Sequence, residues 1–244
     1  MRLDKFLVET GLGSRTEVKN LLKKGLITVN QSLVKEAKQQ IDEHADVVEY
    51  DGKPLIYQEF YYYMLNKPAG VVSATQDNRD KTVIELLSKE DYRADLFPVG
   101  RLDKDTEGLL LLSNDGILAH DLLSPKKHVD KEYFAQIEGL VTPQTIDGFE
   151  KGLKLKSGEE VKPAQLTIIE TDDEAQKSKI SLIIHEGKFH QVKRMFEAVG
   201  LKVIYLKRLR MKNLTLDKRL EKGHYRPLTN EEIKDLRNEK ESKS

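Results

Sequence analysis

The sequence predicts an α+β protein built as two folded units, a small α/β one over residues 1–58 and a larger mixed one over residues 59–234. Three observations carry this reading. Leu3, Phe6 and Leu7 recur at helical spacing, and short β-type runs follow them. From Tyr61 onward the pattern changes to strands mixed with helices. Leu109 to Leu112 is a four-leucine run that suits a strand buried on both faces. A chain of 244 residues has room for a core in each unit.

The first helix breaks at Gly11-Leu12-Gly13, and Ser14 followed by Glu17 is a capping-box signature for a second. That helix sets Val18, Leu21 and Leu22 on one side and Arg15, Lys19 and Lys23 on another, and Gly25 ends it. Leu26–Val29 and Val47–Tyr50 read as short strands, with a turn around Asn30-Gln31-Ser32. Asp51-Gly52-Lys53-Pro54 reads as a linker. In the larger unit, Tyr62–Leu65 is a strand that enters a tight loop at Asn66-Lys67-Pro68-Ala69-Gly70. Asn114-Asp115-Gly116 turns the leucine strand into a helix that runs towards Leu123, before Pro125. Lys131-Glu132-Tyr133 opens a strand, and Ile180–Ile184 alternates like another. His190–Val199 reads as a helix stopped by Gly200, and residues 235–244 as a flexible charged tail.

Composition narrows the function. Hydrophobic residues make up 38% and charged residues 34% of the chain, which suits a soluble globular protein. No run is apolar enough to span a membrane, no signal core is present, and cysteine is absent, so a reducing cytoplasm is the expected compartment. Net charge is zero, but residues 1–38 carry eight Lys/Arg against four Asp/Glu, and residues 188–226 carry twelve against three. Two basic stretches on a neutral chain look like phosphate footprints, although either alone is equally an ordinary solvated face.

The densest chemistry lies in Gly100-Arg101-Leu102-Asp103-Lys104-Asp105-Thr106-Glu107-Gly108, just before the leucine strand. A charged loop on a buried strand is where a rigid scaffold presents a reactive carboxylate, and flanking cations favour its ionised form. A solvated turn bounded by glycines is the alternative on composition alone. His185 to Met195 brings basic residues to a helix start, and Leu206-Lys207-Arg208-Leu209-Arg210 alternates like a strand with one wet cationic face. No phosphate-cradling or dinucleotide loop, no HExxH pair and no GxSxG elbow occurs, and His185 and His190 lack a third metal partner. A carboxylate, an aromatic and basic residues remain, an inventory that suits nucleophilic or general-base chemistry on a sugar or base, with no metal or cofactor.

Together these stretches resemble the RsuA family of ribosomal RNA pseudouridine synthases over nearly the whole chain. Residues 1–48 look like its S4 RNA-binding domain, Leu65–Val72 like its first motif, and the seventeen residues Gly100–Gly116 like its signature. The resemblance implies a mostly antiparallel catalytic sheet with flanking helices. It makes Asp103 the catalytic aspartate, Tyr133 the residue that packs on the target base, Lys193 the cation that orients Asp103, and Leu206 an apolar wall of the base pocket. It places Arg101 in the gap left by a flipped nucleotide. The remaining expected RNA contacts are Arg2, Lys5, Arg15, Lys19 and Lys23 in the small unit, and Lys67, Lys188, His190, Gln191, Arg194 and Arg208 in the large one. The segment Lys188–Met195 is most like small-subunit members, which points to 16S rRNA in an assembling small subunit as partner, with the enzyme a monomer. Large-subunit rRNA modification and non-catalytic ribosome assembly are the alternatives.

Overall fold

The computed structural model describes residues 1–237, which fall into two compact units, Met1–Glu59 and Phe60 onward. In the small unit, helices α1 (Leu3–Glu9) and α2 (Arg15–Lys23) precede strands β1 (Ile27–Val29), β2 (Ser32–Leu33), β3 (Val48–Tyr50) and β4 (Lys53–Pro54). The strands pair in the order β2-β1-β3-β4. Leu3, Leu7, Leu22 and Ile27 are sealed in its core. The capping box forms as expected, with the Ser14 N–H donating to Glu17 at 2.7 Å. Arg15, Lys19 and Lys23, spaced four apart, are exposed on one face of α2. The expected linker at Asp51–Pro54 is instead the β3–β4 hairpin. Asp51 and Gly52 both take positive φ there, the conformation a two-residue hairpin loop needs, so a turn signal was mistaken for a boundary.

The large unit holds β5 (Tyr62–Lys67), β6 (Phe97–Val99), β7 (Glu107–Ser113), α3 (Gly116–Leu123), β8 (Lys131–Glu138), α4 (Pro143–Lys151), β9 (Leu153–Lys154) and β10 (Glu160–Val161). They are followed by β11 (Gln165–Asp172), β12 (Lys177–Ile184), α5 (Gln191–Ala198), β13 (Lys202–Met211), β14 (Leu214–Thr215), β15 (Tyr225–Pro227) and α6 (Asn230–Arg237). Among the described residues, nine strands form one sheet with the central order β11-β12-β8-β13-β7-β5-β15. Its pairings are antiparallel except that of β13 with β7. The four leucines of β7 divide by alternation, as a strand's period of two requires. Leu110 and Leu112 join the core beneath α4 and α5, where Phe149 and Phe196 pack at 4.9 Å, and Leu109 and Leu111 join the core beneath α3 and α6. No helix among the described residues is long and apolar enough to cross a membrane.

The chain's end departs from expectation. Residues 235–237 belong to α6, where Leu236 is buried and Arg237 pairs with Asp115 at 2.9 Å. The rest of the expected tail lies outside the described residues. Asp115 also caps α3 through the Leu118 N–H and accepts from the Tyr62 hydroxyl, so one buried carboxylate ties α3, β5 and α6 together.

The parallel seam between β7 and β13 is the tightest point of the sheet. Gly108 has φ +100°, and a Cβ there would stand 2.2 Å from the Arg208 carbonyl oxygen. Gly70 has a similar φ of +86° with nothing nearby. Gly70→Ala therefore costs only the left-handed backbone penalty, on the order of 1–2 kcal/mol. Gly108→Ala adds an overlap with main chain worth roughly 1–3 kcal/mol more. Urea unfolding of both variants measures the difference, and equal losses would show that the seam relaxes freely.

Candidate active site

The loop that carries Asp103 is held from below by a buried cation. β5 delivers Lys67 into the interior, fully sealed from solvent. Its ammonium donates to the carbonyls of Pro68 at 3.0 Å, Asp103 at 3.1 Å, Lys104 at 3.2 Å and Thr106 at 2.9 Å. Burial pushes Lys67 down to about 8, while the charges of Asp105, Asp103 and Glu107 pull the other way. The ammonium thus persists at neutral pH. The Gly70 N–H donates to the Lys104 carbonyl at 2.7 Å, and the Ser73 hydroxyl both donates to and accepts from the Leu102 main chain. With Leu102 buried as an anchor, the Asp103 carboxylate faces the cleft, about a quarter exposed at 24%.

The opposite side of the cleft comes from the start of α5. Lys193 Nζ lies 3.1 Å from Asp103 Oδ2 and 2.6 Å from Asp105 Oδ1, so one cation serves two carboxylates. Burial works against the Lys193 charge, but the bonds from Asp105 and Asp103 override it and raise its pKa. Asp105 is likewise pushed up by burial, yet Lys193 holds it below the ordinary carboxylate value. His190 takes a left-handed conformation just before α5 and brings Nε2 to 3.5 Å from Asp103 Oδ1. Tyr133 of β8 and Leu206 of β13 are both buried and line the same cleft, whose volume is about 470 Å³. Arg101 stands exposed at its edge. The arrangement presents the Asp103 carboxylate, oriented by its contact with Lys193, beside an aromatic ring and an apolar wall. It suits attack on, or deprotonation of, a sugar whose flat base is held against Tyr133.

The structure thus brings Asp103, Tyr133, Lys193, Leu206, Arg101, Lys188, His190, Gln191 and Arg208 to one cleft. Several of the expected RNA contacts are nevertheless engaged elsewhere. Lys67 is buried beneath the loop and cannot reach RNA. Arg208 is also sealed, because it shares the inward face of β13 with Leu206, so the expected wet cationic face is absent at that position. Gln191 is buried, and its amide links Glu186 at 2.8 Å to the Lys188 N–H at 3.0 Å. Lys188 and Arg194 are drawn onto Glu159, at 3.2 Å and 2.8 Å. In the small unit, Arg2 forks onto the buried Asp4, and Lys5 pairs with Glu9. The parts sequence reasoning missed are Ser73, the shared grip on Asp105, and the buried Lys131 on the cleft wall. Of these, only the flanking charges of Asp105 left a trace in the sequence.

Fold and cleft together are those of a pseudouridine synthase. Residues 61–198 match the family model described as RNA pseudouridylate synthase, and residues 1–47 match the S4 domain. An uncharacterized RNA pseudouridine synthase of Bacillus subtilis, YtzG, is 48% identical, with 96% of this chain and 97% of that protein covered. Ribosomal large subunit pseudouridine synthase B of the same organism is 39% identical over 97% of this chain and 95% of its own. Ribosomal small subunit pseudouridine synthase A of Vibrio vulnificus is 41% identical over 96% of this chain and 98% of its own. A crystal structure of a pseudouridylate synthase superposes with a TM-score of 0.67 at 36% identity, over 97% of this chain and 99% of that one. The chain belongs to the RNA pseudouridylate synthase family, with an S4 domain ahead of its catalytic domain.

The shared grip of Lys193 has a direct test. In Lys193→Met the strongest pull holding the Asp105 carboxyl down is gone while burial still pushes it up, so it should titrate higher than in wild type. Carbon-13 NMR of the side-chain carboxyls follows this. An Asp105 titration identical in wild type and variant would mean that the pair does not form in solution.

Proposed function

We propose that this enzyme isomerises a single uridine of small-subunit ribosomal RNA, in an assembling subunit, with Asp103 as the reacting carboxylate. The observation that carries the reading is the Asp103–Lys193 ion pair at 3.1 Å in a cleft walled by Tyr133 and Leu206. A uridine stacked in RNA offers no approach to C1′ or C5, so the base swings out into this cleft at a cost of a few kcal/mol. Arg101, exposed at the edge, fills the gap that the base leaves. Tyr133 then packs on the ring. Asp103 either attacks C1′ or removes the 2′ proton, the C1′–N1 bond breaks, the base turns, and C1′ rejoins at C5. Phosphate contacts offset the cost of flipping, and the exposed row Arg15, Lys19 and Lys23 on α2 is suited to supply them.

The choice of subunit rests on Lys188-Phe189-His190-Gln191-Val192-Lys193-Arg194-Met195, which resembles the segment of small-subunit enzymes. His190 stands within 3.5 Å of Asp103, so this segment borders the point where the flanking RNA arrives. Relatives named for the small and the large subunit are nearly equal in overall identity, at 41% and 39%, so local residues carry more weight here than global similarity.

Asp103→Asn keeps the shape of the side chain but removes its charge and nucleophilicity, so turnover should vanish while RNA affinity holds. Deleting the gene and mapping pseudouridine on both subunits should show the loss of one small-subunit site, restored by wild type but not by Asp103→Asn. A loss confined to the large subunit would overturn the choice of substrate, and restoration by Asp103→Asn would overturn the role of Asp103. Reversing the charge of Arg15, Lys19 and Lys23 should weaken RNA binding and flatten its salt dependence, by roughly 0.7–0.9 for each phosphate that α2 no longer neutralises. An unchanged slope would mean that α2 does not meet phosphate.

A further inference from the structure

Two cations on the wall of the cleft have no role in the chemistry so far. Lys131 and Arg208 are 6% and 2% exposed and line the cleft that holds Asp103. Arg208 pairs with Tyr133 across the β8–β13 ladder, and Lys131 lies two residues before Tyr133 on the same face of β8. Their bonds are few. Arg208 Nε donates to the Leu109 carbonyl at 2.8 Å, and Lys131 Nζ to the Val129 carbonyl at 3.3 Å. The Nη2 nitrogen of Arg208 is buried without an acceptor. Among the described residues neither cation is ion-paired. Glu186, a buried carboxylate on the same wall, accepts instead from Gln191 at 2.8 Å and the Lys162 N–H at 2.9 Å, with Lys188 at 3.9 Å.

Two like charges held out of water without a counter-ion cost several kcal/mol, and an arriving anion relieves them. Burial, with Arg208 adding to it, pushes Lys131 down to about 8 against the pull of Asp130, as an unpaired buried ammonium requires. RNA brings negative charge in two forms. A phosphodiester is tethered to nucleotides on both sides and stays near the mouth, where Arg101 and His190 are exposed. The flipped base alone travels to the wall beside Tyr133. Uracil enters neutral, but heterolysis of C1′–N1 leaves the electron pair on N1, spread over O2 and O4.

We propose that Lys131 and Arg208 donate to the carbonyl oxygens of the target uracil and stabilise the negative charge it carries while detached from C1′. This rests on the reading of Asp103 above and holds for either role of that residue. If Asp103 attacks, its ester to C1′ forms as the C1′–N1 bond breaks, and C5 later displaces the carboxylate. If Asp103 takes the 2′ proton, that proton returns to C2′ when C5 joins C1′. In both routes C5 then loses its proton and N1 gains one, so the base is an anion only in between. Donors aimed at charge that appears only during the reaction accelerate it without tightening substrate binding.

The test is single-turnover conversion of saturating RNA by the full chain. Lys131→Met, close in length, should slow the step about 100-fold, with RNA affinity unchanged. Lys131→Arg should recover most of the rate. Fluorine at C5 stabilises the uracil anion by itself but leaves C5 no proton to lose, so on RNA carrying 5-fluorouridine the cleavage of C1′–N1 is followed instead of pseudouridine. There the deficit of Lys131→Met should narrow, and that of Arg208→Lys should narrow in the same way. Full-speed turnover by Lys131→Met would overturn the proposal. So would a deficit of equal size on both RNAs, or one that comes from weaker RNA binding, which would mark a phosphate subsite. Wild type and Asp103→Asn run alongside. Their failure to differ would sink the Asp103 reading, whereas a normal difference with an unaffected Lys131→Met sinks only this inference.

Discussion

The active site depends on one buried ammonium. Lys67 gathers four carbonyls of the Pro68 turn and the Asp103 loop around a single point, so the loop has little freedom to move relative to β5. Removing a charge from water costs several kcal/mol. Hydrogen bonds to a charged group return about 1.5–3 kcal/mol each, and the three N–H groups shared among these four carbonyls offset much of that cost. A neutral side chain at this position would leave those carbonyls turned inward with nothing to accept. The loop's outward face, with Asp103 on it, follows from that inward anchor.

The cations of the catalytic domain sort into four environments with different consequences. Lys67 is buried and saturated, and acts as scaffold. Lys193 is partly buried and paired, and its two carboxylates fix where it points. Lys131 and Arg208 are buried and largely unpaired, which is the costly state and therefore the informative one. Exposed cations such as Arg101 sit apart from all of these. Charge count alone would rank them equally, although only the solvent-facing ones are free to meet phosphate.

The sheet explains why these environments lie so close together. β8 and β13 run side by side through the domain, and each sends alternate residues into the cleft, Lys131 and Tyr133 from one, Leu206 and Arg208 from the other. The parallel seam at Gly108 brings β7, and with it the Asp103 loop, against β13. Only glycine lets the two main chains come so near. Register therefore sets the spacing between the Asp103 carboxylate and the wall opposite it.

Much of this was readable from the sequence. Alternation found the leucine strand, the Ser14–Glu17 box found the start of α2, and the Asp103 signature found the loop that lines the cleft, because each is a local pattern with a local cause. The turn at Asp51-Gly52 was also visible, but a hairpin and a linker use the same residues, and only strand pairing tells them apart. The end of α6 was misread because its charges resemble a tail until Asp115, more than a hundred residues earlier, meets Arg237. The roles of Lys67 and Arg208 were out of reach for the same reason. In sequence both are simply positive charges expected to meet RNA, whereas Lys193 was already paired with Asp103 by the family resemblance. Whether one becomes a scaffold, an unpaired donor or an orienting partner depends on burial and on acceptors from distant strands. Residue type and spacing determined which chemistry this chain carries. Desolvation and pairing, which exist only once the strands have assembled, decided which residue does which part of it.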